Sequence, residues 1–403
     1  MKAIMYGAGN IGRGFIGALL SQSGYAVTFV DISQTVVDSL NQNHSYPVRI
    51  VSGEGYEDVE ITGVNAIHGL DTAAVAEAIS SADIMAISVG ANVLPKVIPN
   101  VLAGLRLRWK SAETPLNILL CENLMDVDKF VEKLLKDNLD PAEQSLLDKK
   151  VGLIETSIGR MVPVQTTEMQ DGNPMRVCVE RYGFLPIDKD AIKGEIPPIK
   201  KLVPFSPFGF FLRRKLFLHN MGHALCAYLG MYTGLGFIYE AMENPHIHLI
   251  LKEAMTESIF ALSDEYGVPM QDIYRHADDL LLRFTNRALG DTCARVGGDP
   301  ARKLAFSDRL IGSALFCRNH GIQPVGIAVG AAGAIYQYLN ENEHIQNNEN
   351  AASALQKLSG LEPESELGTM IFDFYKMYRH GTSPKQLYRA VQVRKKRAAA
   401  EII

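Results

Sequence analysis

The chain has 403 residues, 47% of them hydrophobic and 21% charged, with a formal net charge of −5. This is the composition of a folded acidic protein, which excludes a basic nucleic-acid binder, and the length points to two domains because single cores stop growing near about 250–300 residues. No apolar run reaches the roughly 18 residues of a membrane span, and the first strand starts almost at residue 1, so neither a membrane segment nor a targeting peptide is expected and the reading is cytoplasmic.

In chain order, the apolar run Ala3-Ile4-Met5-Tyr6 leads into Gly7-Ala8-Gly9-Asn10-Ile11-Gly12 and a helical stretch through Leu19 and Leu20. A second strand, residues 26–30, ends in Asp31. This is G-x-G-x-x-G in the strand, turn, helix, strand setting that gives the pattern meaning. Gly7 permits the tight turn, Gly9 lets backbone approach a pyrophosphate, and Gly12 lets helix pack on strand. The helix N-terminus then offers N–H groups and partial positive charge to the phosphates. The expected cofactor contacts are thus Gly7, Ala8, Gly9, Asn10, Ile11 and Gly12, with Asp31 accepting from the ribose hydroxyls. A carboxylate there repels a 2′-phosphate, so the cofactor read is NAD and not NADP.

Alternation continues. Residues 33–41 and 72–80 read as helices, and 59–61, 64–67, 84–89 and 116–120 as strands. The strand over 84–89 ends in Gly90 and that over 116–120 in Cys121-Glu122-Asn123. Gly90 and Asn123 therefore fall at carboxyl ends of strands, where a doubly wound sheet places its ligand, and both are expected at the cofactor. Asp140-Pro141-Ala142-Glu143 is a helix start with N-cap, first-turn proline and third-position glutamate, and residues 151–156 read as a last parallel strand. Pro186, Pro197, Pro198, Pro204 and Pro207 crowd the next stretch. The expected organisation is α/β, with a Rossmann-type doubly wound domain over 1–200 and a mainly helical domain over 201–403. Helices are expected at 211–229, 247–266, 270–284, 301–318, 324–339, 351–358 and 364–378.

Residues 213–230 carry Lys215, Asn220 and His223. On a regular helix at about 100° per residue, Asn220 lies about 140° and His223 about 80° from Lys215, so one broad face holds all three. Eight residues span roughly 12 Å of helix, a length suited to an extended polyhydroxylated molecule. The five cysteines are scattered and sit in apolar sequence, the pattern of reduced core thiols. His246 and His248 lack a third ligand nearby, and no metal site is expected. The basic tail run 394–397 reads as a solvated helix end. Nothing in the sequence sets the oligomeric state.

A glycine loop Gly7 to Ile16 followed by a lysine-bearing helix resembles the mannitol dehydrogenase family of polyol-specific long-chain dehydrogenases. Lys215, Asn220 and His223 match that family's K-x4-N-x2-H signature. Cys121-Glu122-Asn123, Ala227-Tyr228-Leu229-Gly230, Arg302-Lys303-Leu304 and Asp308-Arg309-Leu310 resemble its sugar-phosphate branch. The resemblance implies metal-independent, reversible NAD-linked oxidation of D-mannitol 1-phosphate to D-fructose 6-phosphate, with a small polyol or sugar phosphate as the partner. It implies Lys215 as general base, Asn220 as donor to the developing alkoxide and His223 as a ligand of a substrate hydroxyl. Where some members carry a second oxyanion asparagine, this chain has Glu155. Three roles stay open for that carboxyl: a pair with Lys215, a proton relay, or a structural carboxylate at a strand end. Arg160, Arg213, Arg214, Arg302, Lys303 and Arg309 are the candidates for a substrate phosphate. Uronate reduction, mannitol 2-dehydrogenation, a decarboxylating dehydrogenase and a non-catalytic NAD sensor are the alternatives.

Overall fold

The computed structural model describes residues 1–196, 198–342 and 345–400. Pro197, one of the prolines around the expected boundary, lies outside them. The chain forms two compact units, Met1–Phe211 and Leu212–Ile403.

The strands of the first unit are β1 (Lys2–Tyr6), β2 (Ala26–Asp31), β3 (Ser45–Ser52), β4 (Gly55–Thr62), β5 (Val64–His68), β6 (Ile84–Ile87), β7 (Leu116–Leu120), β8 (Val151–Glu155), β9 (Val177–Val179), β10 (Leu185–Asp188) and β11 (Leu202–Phe205). Six of them form one sheet in the order β5-β2-β1-β6-β7-β8. Every pairing in it is parallel. Numbered within the sheet this is the doubly wound order 3-2-1-4-5-6, with the direction of winding reversing between β1 and β6. The central strands are mostly apolar because helices cover both faces; β6 and β7 are buried at every position. Helices Thr72–Ser80 and Leu94–Ser111 cover one face, on a core that includes Ile79, Ile98 and Leu105.

A three-stranded sheet, β4-β3-β9, stands apart from the main one. Its first two strands are an antiparallel hairpin, in a stretch where only residues 59–61 read as strand from the sequence. The expected domain change at 200 falls inside the first unit. Strand β11 pairs in parallel with β10, and Phe205 packs edge-on against Phe211 at 4.9 Å, so residues 202–211 complete this unit.

The second unit is helical, including Met221–Tyr232, Pro245–Tyr266, Met270–Phe284, Val325–Glu341, Asn348–Ser359 and Glu366–Arg379. Its centre is Val325–Glu341, where small residues admit neighbours closely: a Cβ on Gly326 would lie 2.7 Å from the Ala254 nitrogen. The single helix expected over 301–318 is instead two, Pro300–Lys303 and Ile311–Asn319. Leu304 and Leu310 are both fully buried. A straight helix would set them about 120° apart, so burying both bends the chain.

Candidate active site

The candidate nucleotide site of the first unit lies at the carboxyl ends of β1, β2, β6, β7 and β8. Gly7 follows β1 with φ +100°, a conformation that favours glycine. A Cβ there would sit 2.2 Å from the Ser88 carbonyl oxygen, and one on Gly12 would sit 1.9 Å from that of Gly7. At Gly9, by contrast, a Cβ meets nothing within 4 Å. The loop is thus closed at both ends, at Gly7 against Ser88 and at Gly12 against Gly7 itself, and open in the middle, where backbone can face a phosphate. Arg13, 7% exposed, braces it by donating from Nε to the Ala8 carbonyl at 2.7 Å.

Asp31 ends β2. One of its carboxylate oxygens accepts the Ala8 N–H at 2.7 Å and the other the Ser33 N–H at 2.9 Å. Each oxygen retains a lone pair for a ribose hydroxyl. Further along the strand ends, Ile11, Ser88, Gly90, Cys121, Asn123 and Ile158 border a cavity of about 290 Å³. The turn at Gly90, φ +92°, is held by Glu122, whose Oε1 accepts the N–H groups of Val89 at 2.7 Å and Gly90 at 2.9 Å. Burial raises the Glu122 carboxyl above its ordinary value, and those two donors oppose the shift. An open glycine position, a carboxylate with spare acceptor capacity at the end of β2 and a cavity beside them are together what a dinucleotide requires.

Glu155, the last residue of β8, is 8% exposed. Its Oε1 accepts the N–H of Val127, the first residue of helix Val127–Lys136, at 3.0 Å. Burial, joined by the carboxylates of Asp128, Asp126 and Asp188 and opposed by the Val127 bond, pushes it up to about 7.

In the second unit, the helix bearing Lys215, Asn220 and His223 is not evenly wound. Residues Lys215–Asn220 form a π-helical turn between α-helical segments, and the Met221 N–H reaches the Leu216 carbonyl five residues back. The angles expected for a regular helix do not hold across it, because an i→i+5 ladder is wider than an i→i+4 one. Lys215, Asn220 and His223 are all half-buried. His223 Nε2 lies 3.2 Å from Asp291 Oδ2, outside hydrogen-bond alignment, and its ring stacks on Phe284 at 4.7 Å with an interplanar angle of 11°. Burial opposes ionisation of Asp291, but His223 and Arg295 outweigh it and hold the carboxyl below its usual range.

His219 is a packed residue, its ring 5.7 Å from Phe284 and 6.1 Å from His223. Burial pushes its pKa far down, reinforced by Arg283, His223, His276 and Lys215. His276 is depressed in the same way, by burial first and then by Arg214 and Arg283. Both are neutral imidazoles at physiological pH.

The phosphate candidates separate. Arg213 is engaged by Glu265 at 2.7 Å and lies over the Phe316 ring. Arg160, in the first unit, donates to the Gly14 and Tyr182 carbonyls. Lys303 is 4% exposed, and burial, then Arg309 and Arg302, lowers its pKa to about 8. Arg302 pairs with Asp299 and Arg309 with Asp308, each at 2.8 Å. Among the described residues no three His, Cys, Asp or Glu side chains converge as metal ligands, and no helix is long and apolar enough to cross a membrane. All five cysteines are buried and unpaired as disulfides. Glu122 and Asp291 were not anticipated as site residues. Glu122 sits in a strand-end triplet that could have flagged it, whereas Asp291 reaches His223 across 68 residues with no local pattern to announce it.

Two family profiles match: the mannitol dehydrogenase Rossmann domain over residues 1–201 and the mannitol dehydrogenase C-terminal domain over residues 209–371. The chain belongs to the mannitol dehydrogenase family. Among relatives, it is 36% identical over 334 residues to a mannitol-1-phosphate 5-dehydrogenase of Brevibacillus brevis, covering 82% of this chain and 85% of the relative. It is 35% identical over 382 residues to one of Thermoanaerobacter pseudethanolicus, covering 93% and 97%. The mannitol dehydrogenase fold is shared with Pseudomonas fluorescens mannitol 2-dehydrogenase, solved with NAD and D-mannitol, at a TM-score of 0.74 and 15% identity, with 97% and 94% of the two chains covered. A substrate-free D-sorbitol dehydrogenase gives 0.79 at 14% identity, with 96% and 94% covered.

Proposed function

We propose that this chain catalyses the reversible NAD-linked oxidation of D-mannitol 1-phosphate at carbon 5, giving D-fructose 6-phosphate. The observation that carries the reading is the 35% identity, over 93% of the chain, to a relative named mannitol-1-phosphate 5-dehydrogenase. The glycine loop with Asp31 in the first unit, and the helix bearing Lys215, Asn220 and His223 in the second, support it. NAD⁺, when bound, supplies the acceptor for the hydrogen leaving carbon 5, and Gly7 to Gly12, Asp31, Gly90 and Asn123 are the residues assigned to hold it.

Lys215 is assigned as the base that takes the proton from the carbon 5 hydroxyl, because the alcohol can be oxidised only as that proton departs. Asn220 donates to the oxygen as negative charge grows on it. His223, braced by Phe284 and Asp291, holds a neighbouring hydroxyl. Glu155, titrating near 7, is assigned as a carboxyl that can hold or release a proton at the working pH. For the phosphate, Lys303 and Arg309 are assigned. The buried Lys303 ammonium beside two guanidinium groups stays depressed despite Asp299 and Asp308, a positive field that a phosphate would relieve.

The test follows NADH absorbance with fructose 6-phosphate, fructose, fructuronate and tagaturonate in parallel, with and without chelator. Rapid, chelator-insensitive oxidation with the phosphorylated ketose alone, abolished in Lys215→Ala while NADH still binds, is the expected result. Preference for a uronate overturns the substrate assignment, and full turnover in Lys215→Ala overturns the base.

A further inference from the structure

The first unit holds a second cavity, of about 280 Å³, between the helix that follows the glycine loop and the β3–β4 hairpin. Its floor is apolar, with Phe15, Leu19, Val48 and Ile61 all buried and Ile50 and Val59 beside them. Its rim is cationic. Arg160, Arg181 and Lys201 border it, with Glu57 as the single lining carboxylate. Glu57 pairs with Arg181 at 3.0 Å, and both side chains are more than half exposed. No carboxylate among the described residues pairs with Lys201.

Gly183 brings the cations together. A Cβ there would lie 3.0 Å from Arg160 Nη2 and 3.1 Å from Lys201 Nζ, so the two charges approach within about 6 Å of each other across a position that a side chain would fill. Lys201 is held in place by backbone: its carbonyl accepts the Leu185 N–H at 3.0 Å, and its φ of +59° is one that non-glycine residues rarely adopt. Two cations held this close over an apolar floor make the space between them favourable for an anion.

We infer that this cavity binds a small amphiphilic anion, a carboxylate or phosphate monoester on a short hydrocarbon group, with the anionic end between Arg160, Lys201 and Arg181 and the apolar end on Phe15, Leu19 and Ile50. The volume is roughly that of nine water molecules, which limits the ligand to a short chain or a single ring. Arg160 also donates to the Gly14 carbonyl at 2.9 Å and lies over the Phe15 ring, so the same side chain reaches the helix that follows the glycine loop.

The experiment is calorimetric titration of the full chain, saturated with NADH, with phenyl phosphate, hexanoate and inorganic phosphate. Binding of phenyl phosphate or hexanoate with one-to-one stoichiometry is expected, and which of the two binds more tightly identifies the anionic group. Inorganic phosphate should bind about tenfold more weakly because it leaves the floor uncovered. Lys201→Gln and Arg181→Gln should each weaken binding about tenfold. Gly183→Val should abolish it, with NADH affinity and circular dichroism confirming the fold; Arg181, being on the surface, serves where the other variants fail to fold. Absence of binding, equal affinity for inorganic phosphate, or binding untouched by these changes but lost in Lys303→Met would overturn the inference.

Discussion

Replacing Glu155 with glutamine should make the first unit more stable at alkaline pH and leave it unchanged at acid pH. An exposed glutamate titrates near 4.5, and this one is pushed up to about 7 by burial and by Asp128, Asp126 and Asp188. The folded state therefore keeps a proton that the unfolded chain has already released. Below about pH 4.5 both states are protonated and nothing is lost. As the pH rises from there through 7 the unfolded state gains progressively, and above 7 the full penalty, about 3 kcal/mol, weighs against folding. Glutamine is uncharged and retains an oxygen for the Val127 N–H. The variant should thus match the parent near pH 4.5 and exceed it by up to about 3 kcal/mol at pH 9. Trp109, the only tryptophan in the chain, lies in helix Leu94–Ser111 of the first unit, so its fluorescence during urea unfolding reports that unit alone. The gain should appear as a midpoint shift of roughly 1 M urea at pH 9. A difference that does not vary with pH would refute the reasoning, since only an ionising Glu155 makes it pH-dependent.

Asp31→Ala removes the acceptor for the Ala8 and Ser33 N–H groups and the partner of the ribose; NADH affinity by fluorescence titration should fall at least about tenfold while NADPH affinity falls less, and a parallel fall in both would remove Asp31 from cofactor selection. Ser258→Ala deletes the buried hydroxyl that donates to the Phe217 carbonyl at 2.7 Å inside the π turn; thermal melting should show a loss of about 1–3 kcal/mol, and kcat should drop with it if the turn sets the placement of Lys215 and Asn220. Unchanged kcat in a destabilised Ser258→Ala protein would separate the winding of that turn from the chemistry.

The nucleotide half was legible because its constraints are local and steric. Gly7 and Gly12 cannot be other residues without a Cβ driven into a carbonyl oxygen, so the loop is written directly in the sequence. The carboxylate at Asp31 follows from strand length alone. The same holds for the long helices: Met270–Phe284 begins and ends where its apolar spacing says. What was not legible depends on distant partners. Strand β3 finds β9 far along the chain, and its register is set by that pairing and by the hairpin with β4, so the three-stranded sheet leaves little local trace. The break between Lys303 and Ile311 likewise answers to two leucines that share one core.

The helix bearing Lys215 makes the same point at the scale of one turn. Residue spacing put Lys215, Asn220 and His223 on one helix, and that much depends only on composition and the absence of breakers. Between Lys215 and Asn220 the helix is wound as a π turn, and the Phe217 carbonyl inside it accepts from Ser258, 41 residues away. A π turn leaves backbone groups without their ordinary i→i+4 partners, and in a buried segment such groups must be paired or the turn reverts. The Phe217 carbonyl has that partner, in a serine hydroxyl with no solvent exposure. Periodicity therefore placed the three residues on one helix, whereas the π winding between Lys215 and Asn220, which it did not anticipate, includes a carbonyl satisfied from another helix.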